Sequence, residues 1–226
     1  MDEDGAVAHA GDADPSELYR SPGHTPLDRR GPWWAEFAED LARYRAHYDG
    51  GLLKPLLLEQ ALWALLQYRM ASGVYRSSLP GAIKAPLLLL AVLGHKAAEL
   101  LVGISLPYRA ELLPGLYIGH FGPVLVNDGA RIGTGCNLSQ GVTIGVSGRG
   151  RNRGAPVIGD HVYLGPGAVV SGPITVGDAA VVGANSFVGK DVAAGTTVIG
   201  VPARRASEGG SAGMGLHMRA TGGTRR

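Results

Sequence analysis

Two hydrophobic rhythms divide the chain. Between residues 33 and 105 apolar side chains recur at helical spacing, and Trp34, Phe37, Leu41, Tyr44 and Tyr48 share one face of a first helix. Gly50-Gly51 breaks it. Pro55 suits the first turn of a second helix, which carries Leu58, Leu62, Leu65 and Leu66 to about Met70. A third helix is expected from near Pro86 to a stop before Pro107. Its Leu/Ala-rich surface reads as one buried against other helices or subunits, with contact to a membrane surface as the lesser alternative.

From residue 126 the period becomes six. Val126, Ile132, Leu138 and Ile144, then Ile158, Leu164, Val170, Val176, Val182 and Val188, are all aliphatic. Glycine follows at seven of these steps, as in Gly133, Gly145, Gly159 and Gly165. The fifth place of each hexad is small or β-branched, as at Ala130, Cys136, Val142, Ala168 and Ser186. Neither a helix nor an ordinary strand repeats every six residues. A three-sided coil does: each hexad makes one short strand and one corner, and three make a turn of about 18 residues. The aliphatic place points into the prism, and the small fifth place keeps the wall close. The fold class is therefore α+β, a helical N-terminal region followed by a parallel β-solenoid.

The expected organisation is a disordered acidic tail at 1–32, helices at 33–105, the coil at 106–205 and a second disordered tail at 206–226. Residues 1–40 hold ten acids against three bases, whereas 141–226 hold nine bases against four acids. Both tails are rich in Gly, Ala, Ser and charged residues without apolar period. Thirty-six glycines in 226 residues is about twice the ordinary share. They do not fall every third residue, which excludes collagen. A formal charge of +2 argues against a general nucleic-acid binder. Cys136, the single cysteine, excludes a disulfide framework and sits at a small fifth place, as a core thiol. No transmembrane segment is expected, because the charge-free stretch from Ala85 to Gly94 is about half of what a bilayer requires. With no secretory signal pattern at the start, a soluble cytoplasmic protein is the expectation.

Chemistry is sought where the period breaks. Counting back six from Val126 lands on His120, in a place that should be aliphatic. An imidazole inside an aliphatic prism is costly unless hydrogen-bonded, so the register is expected to bend there and turn His120 to a cleft. His9, His24 and His217 fall in the tails, His47 and His95 on helices, and His161 at an outward place. The second break runs from Val146 to Pro156. Ile144 and Ile158 are fourteen apart where twelve would keep the count, so a loop with Arg149, Arg151 and Arg153 is extruded. Such a loop attracts a phosphorylated or carboxylated ligand or is simply solvated. The third is Gly200-Val-Pro-Ala-Arg204, where Pro202 ends strand pairing. Arg204 and Lys190 lie near these last coils and read either as phosphate contacts or as surface cations of a cap.

The hexads resemble those of the hexapeptide-repeat acyltransferases, which implies a left-handed parallel β-helix. The blocks Gly115-Leu-Tyr-Ile-Gly-His-Phe-Gly122 and Leu138-Ser-Gln-Gly-Val-Thr-Ile-Gly145, the Gly/Arg loop and the Gly-Val-Pro-Ala-Arg ending are similar to serine acetyltransferases over residues 104–204. That resemblance implies direct acetyl transfer from acetyl-CoA, as co-substrate, to a hydroxyl acceptor. His120 would be the general base, since imidazole titrates near ~6.5 in water. A backbone N–H near Gly145 would steady the oxyanion. Pantetheine would lie along Gly165, Gly167, Gly183 and Ala184, with Arg204 and Lys190 toward the phosphates and Gln140 and Arg153 toward the acceptor. The resemblance further implies homotrimers with each site shared by two subunits, and no metal.

Two departures bear on the acceptor. Where the family has an aspartate that orients the histidine, this chain has Ser105, leaving Asp128 or Glu111 as candidates. Where the family has an Asp-Arg-His-Pro segment, this chain has Arg153-Gly154-Ala155-Pro156. Acetyl transfer is thus better supported than serine as acceptor, and a sugar or natural-product hydroxyl is the alternative. A non-catalytic trimeric scaffold is a third reading. A metal enzyme like the γ-class carbonic anhydrases needs three histidines around an interface, and the coil region has His120 and His161.

Overall fold

The computed structural model describes residues 31–46, 51 and 53–214. Tyr48, Gly50, His9, His24, His47, His217 and most of both expected tails lie outside the described residues. Among the described residues four helices precede the coil: α1 (Trp33–Arg45), α2 (Leu53–Leu58), α3 (Gln60–Arg76) and α4 (Gly81–Val102). The expected second helix is thus two pieces, because Glu59 adopts an extended conformation between α2 and α3. The third starts at Gly81 rather than near Pro86, with Pro86 inside its second turn, and stops at Gly103, whose positive φ of 71° ends it.

The chain then winds five times. The first turn is β1 (Ile104–Ser105), β2 (Glu111–Leu112) and β3 (Tyr117–Gly119); the second is β4 (Val124–Val126), β5 (Arg131–Ile132) and β6 (Asn137–Ser139). The third is β7 (Thr143–Gly145), β8 (Val157–Ile158) and β9 (Tyr163–Leu164); the fourth is β10 (Val169–Ser171), β11 (Thr175–Val176) and β12 (Val181–Val182). The last has β13 (Phe187–Val188) and β14 (Thr197–Gly200), and β15 (Ala203–Ser207) folds back on β14. Strands of equal place stack in parallel into three faces: A (β1-β4-β7-β10-β13), B (β2-β5-β8-β11) and C (β3-β6-β9-β12-β14), with β15 antiparallel at the edge of C. This is the left-handed parallel β-helix. All ten aliphatic hexad places are buried, from Val126 at 5% exposure to Ile132 and Leu164 at 0%.

Two features of the coil region differ from the sequence expectation. β7 and β8 lie on successive faces, so the insertion between Ile144 and Ile158 is eight residues, not two. Its base is closed by reciprocal Ser147 and Gly154 backbone bonds of 3.1 and 3.0 Å. The segment expected to be unstructured after Ala206 contributes to β15 and then to a short 3-10 turn, Ser211–Met214. Ser211 pins that turn, donating from its hydroxyl to the His161 carbonyl at 2.6 Å and from its N–H to Ala179 at 2.8 Å.

The helices cover the open upper edge of faces B and C, which would otherwise present unpaired strands. Tyr68 Oη donates to the Ala110 carbonyl at 2.7 Å and accepts from the Leu112 N–H at 3.1 Å. Tyr44 Oη does the same with the Ile118 carbonyl and N–H, at 3.0 and 2.9 Å. Arg69, wholly buried, pairs with Asp40 and Glu36 and donates to the Leu112 and Leu113 carbonyls. Arg43 donates to the carbonyls of Gly115 and Gly135 at 2.8 and 2.7 Å. The helical region and the coil therefore share one core.

α4 is different. It packs on α3, but only Val102 of its 22 residues is buried. By length and composition α4 is enough to cross a membrane, with a mean hydropathy of 1.6. The sequence count reached only Ala85–Gly94 because His95, Lys96 and Glu99 interrupt the run; the helix simply continues through them. The surface expected to be buried is largely exposed in the protomer.

Candidate functional site

The corner between faces C and A carries His120. In later turns the inward residues flanking this corner are six apart, as from Leu138 to Ile144 and from Leu164 to Val170. In the first turn Ile118 takes the inward place beside Leu138, and Val126 the one beside Ile144. They are eight apart, so this corner is two residues longer. The added length turns His120 and Phe121 out of the prism, both exposed, with His120 at φ 66°. A histidine in the left-handed region is uncommon and is held here by its neighbours. Gly122 lies against Gln140, and the Pro123 carbonyl accepts from the Gly141 N–H at 2.7 Å. Among the described residues no side chain hydrogen-bonds or ion-pairs with the His120 ring.

Below His120 the same corner stacks several residues named from the sequence. Gln140 follows β6, Gly165 and Gly167 follow β9, and Gly183 and Ala184 follow β12. Backbone bonds tie the column: Gly167 N–H to Gln140 at 2.9 Å, Asn185 N–H to Pro166 at 2.8 Å. Gln140 Oε1 is buried and has no hydrogen-bond partner among the described residues. The Gln140 side chain lies against Gly122, two residues after the histidine.

The remaining named residues lie elsewhere. Asp128 follows β4, Gly145 ends β7 with Arg153 in the loop behind it, and Lys190 follows β13. All of these belong to the corner between faces A and B. A three-residue strand of face A separates this corner from that of His120, about 10 Å at the usual strand rise. Asp128 therefore does not orient His120 within one protomer; it is exposed in a turn where Asn127 Oδ1 accepts the Gly129 N–H. Glu111 does not either, since its carboxylate on face B pairs with Arg131 Nε at 2.7 Å. Arg153 is exposed.

The glycines divide by cause. A Cβ on Gly165 would lie 2.8 Å from the Ala184 backbone nitrogen, and one on Gly183 2.5 Å from Ile199. Gly167 has φ 70°. The coil's own stacking requires glycine at all three. Gly145 is different: a Cβ there would meet nothing closer than 3.9 Å. Its bareness is not required by the protomer and leaves room for a closely approaching molecule.

At the far end of the coil Lys190 and Arg204 do come together. They line an open cavity of about 620 Å³ with Phe187, Asp191, Pro202 and Arg205. Arg205, which pairs with Glu208, was missed from the sequence. The alternation of β15, which follows the cis Val201–Pro202 bond, offered no signal for it. Also missed was a cluster at the top of face A. Ser105 Oγ donates to Glu99 Oε1 at 2.6 Å, and His95 Nε2 lies 3.0 Å from the same oxygen. Lys96 and then Ser105 hold the Glu99 carboxyl below the usual carboxylate range. The signal available was the i, i+4 spacing of His95 and Glu99 just ahead of β1. The Cys136 thiol is buried in the core, where desolvation pushes it up to about 12. Among the described residues no group of three or more His, Cys, Asp or Glu is placed to hold a metal ion.

Comparison with known proteins adds to this geometry. Residues 155–190 match the family model for the bacterial transferase hexapeptide (six repeats). A serine acetyltransferase of Synechococcus elongatus is 33% identical over 152 residues, covering 67% of this chain and 59% of that protein. One from Helicobacter pylori strain J99 is 32% identical over 149 residues, covering 66% and 82%. The chain thus spans less than two thirds of the cyanobacterial relative's length. Among solved structures, Neisseria gonorrhoeae serine acetyltransferase in complex with serine superposes with a TM-score of 0.65 at 28% identity, over 77% of this chain and 69% of that one. Soybean serine acetyltransferase complexed with serine gives 0.67 at 28%, over 80% and 72%.

Proposed function

Because the chain belongs to the serine acetyltransferase family, we propose that it moves the acetyl group of acetyl-CoA directly onto the hydroxyl of serine or a serine-like acceptor. His120 is the general base. The observation that carries this reading is the lengthened corner, which takes an imidazole out of an otherwise aliphatic column and leaves its ring without a side-chain partner among the described residues.

The imidazole accepts the hydroxyl proton as the oxygen attacks the thioester carbonyl. The C–S bond then breaks, and the imidazolium returns the proton to the leaving CoA sulfur. Imidazole suits both halves of this exchange because it titrates near neutral pH. A homotrimer completes the site. Within one chain a strand of face A, about 10 Å long, lies between the His120 corner and the corner that carries Asp128 and Gly145. Threefold packing sets the His120 corner of one protomer against the other corner of its neighbour, and the open surface over Gly145 supports close approach there. The cavity with Lys190, Arg204 and Arg205 supplies cations of the kind that pair with phosphates.

A second reading, transfer to a sugar or natural-product hydroxyl, is favoured by one observation: Arg153-Gly154-Ala155-Pro156 lacks the second histidine of the family's loop segment, and Ala155 is buried. The test is CoA release from acetyl-CoA, read with a thiol reagent across serine, homoserine and sugars. Serine should give the highest kcat/KM; a sugar in that place establishes the second reading. His120→Ala should lower kcat by about 10²–10⁴, and full turnover in that variant refutes the general base. If calorimetry finds no binding of CoA, the enzymatic reading itself falls.

A further inference from the structure

We propose that Glu99, acting through the Ser105 hydroxyl, positions the His120 imidazole and balances its positive charge while it holds the acceptor proton. The inference rests on His120 as the general base. An imidazole serves best as a base when its second nitrogen keeps a proton on a fixed partner. Within the protomer Asp128 and Glu111 do not supply that partner, since one lies at another corner and the other is paired on face B. The end of α4 and the His120 corner are instead packed as one unit. Gly103 ends the helix, its N–H donating to the Glu99 carbonyl at 3.1 Å. The Gly103 carbonyl accepts from the Val124 N–H at 3.1 Å. A Cβ on Gly103 would lie 3.5 Å from Pro123 Cα and 3.8 Å from the carbonyl carbon of Gly122, so it backs onto the corner. β1 then pairs with β4, the strand that leaves this corner, and Ser105 stands opposite Leu125, about 4.8 Å away between backbones. Ile104 and Leu106 are both buried, so Ser105 between them turns outward, onto the surface that the corner borders.

Ser105 has one proton to donate, and it goes to Glu99 Oε1 at 2.6 Å. Its lone pairs are left for an N–H donor, and a hydroxyl polarised by a carboxylate is the stronger acceptor. The carboxylate is itself held in place. His95 Nε2 lies 3.0 Å from the same Oε1 and 3.4 Å from Ser105 Oγ, and Lys96 pairs with Oε2. Among the described residues these are the charged and titratable groups that face Glu99; Leu125, below Ser105 on face A, is apolar. Lys96 first, then Ser105, keep the carboxyl below the usual range, so it is ionised at neutral pH. The exposed His120 ring, with no side-chain partner of its own among the described residues, turns its N–H onto Ser105, and such a bond tightens as the acceptor arrives. One ring nitrogen then takes the acceptor proton and passes it to the CoA sulfur. The other keeps its N–H on Ser105 throughout, and the Ser105–Glu99 pair exchanges no proton of its own.

Glu99→Gln keeps the size of the side chain and an oxygen for Ser105, and removes the charge. In the full-length protein it should lower kcat about tenfold, a fraction of what the base itself contributes, with KM for acetyl-CoA nearly unchanged. Loss of a nearby negative charge lowers an imidazole's pKa, so the acidic limb of kcat/KM should move down by about 0.5–1 pH unit. Adding Ser105→Asp to that variant returns a carboxylate to the ring and should restore both. NMR titration of the His120 ring, its signal assigned with His120→Asn, should show the same downward shift with no substrate present, so the inference is read even where acetyl transfer fails. If Glu99→Gln does not fold, Ser105→Ala, which cuts the link and leaves the charges of α4 in place, should move the titration in the same direction. An unchanged titration in either folded variant overturns the proposal. So does a loss of turnover that comes without a shift of the limb and is not recovered by Ser105→Asp, which marks a structural role only. Full turnover in His120→Ala falls on the general base, and the titration then still shows whether Glu99 acts on the ring.

Discussion

Replacing Arg69 by methionine removes one of the ties between the helices and the coil, the one that carries buried charge. The guanidinium donates to Asp40 at 2.8 and 3.1 Å, to Glu36 at 3.2 Å, and to the Leu112 and Leu113 carbonyls at 2.6 and 3.0 Å. Glu36 keeps a partner in Arg76, at 2.9 and 3.1 Å. Asp40 keeps the Leu116 N–H, at 2.9 Å, and the backbone N–H of Gly115, and remains fully buried. Stranding a buried charge costs about 3–5 kcal/mol, a large part of the roughly 5–15 kcal/mol that holds a domain together. Burial already pushes the Asp40 carboxyl up from its ordinary value of 3.8, while Arg69 and the Leu116 N–H pull it down. Without Arg69 it rises further. A carboxyl whose folded pKa exceeds the unfolded one supports the fold fully below the unfolded value and loses that support as pH climbs through the folded value. The gap between parent and Arg69→Met should thus be small near pH ~4 and widen toward neutrality, by at most about 1.36 kcal/mol per pH unit. Urea unfolding at matched protein concentration measures it. The added change Asp40→Asn should recover part of the loss. A neutral-pH difference below about 1 kcal/mol, or a gap that narrows as pH rises, would refute the reasoning.

Other substitutions test the coil and the candidate site. Gly165→Ala should cost about 1–3 kcal/mol in thermal or urea unfolding, because its Cβ meets backbone. Gly145→Ala should stay within about 0.5 kcal/mol while lowering kcat/KM; unchanged turnover would remove Gly145 from the site. Cys136 should resist a thiol reagent in the folded protein and react at once on unfolding, since its thiol is buried and pushed up to about 12. Losing Lys190 and Arg204 together should raise KM for acetyl-CoA about tenfold, an effect that shrinks at high salt, with kcat nearly unchanged.

Much of this was legible because a solenoid writes its fold locally. Every hexad presents one aliphatic residue to the same axis, so ten places from Val126 to Val188 could be assigned without knowing any long-range contact. His120 was found as an exception to that rule. The insertion after Gly145 was seen but mis-sized, because counting by sixes cannot tell which face resumes after a gap. α4 was placed but not its exposure: helical period gives a face, not what covers it.

What the sequence determined by itself was the coil, its core and the one histidine that leaves the register, since each follows from residues close in the chain. The tertiary structure decided the partners. It alone drew Glu99 and His95 to Ser105, set Glu111 on Arg131, and separated Asp128 from His120 by the width of a face. The physical reason is that hydrogen bonds and ion pairs act over about 3 Å, whereas residues one turn apart along a prism are about eighteen positions apart in sequence. Which side chains meet is therefore fixed by the winding and not by the order of the chain.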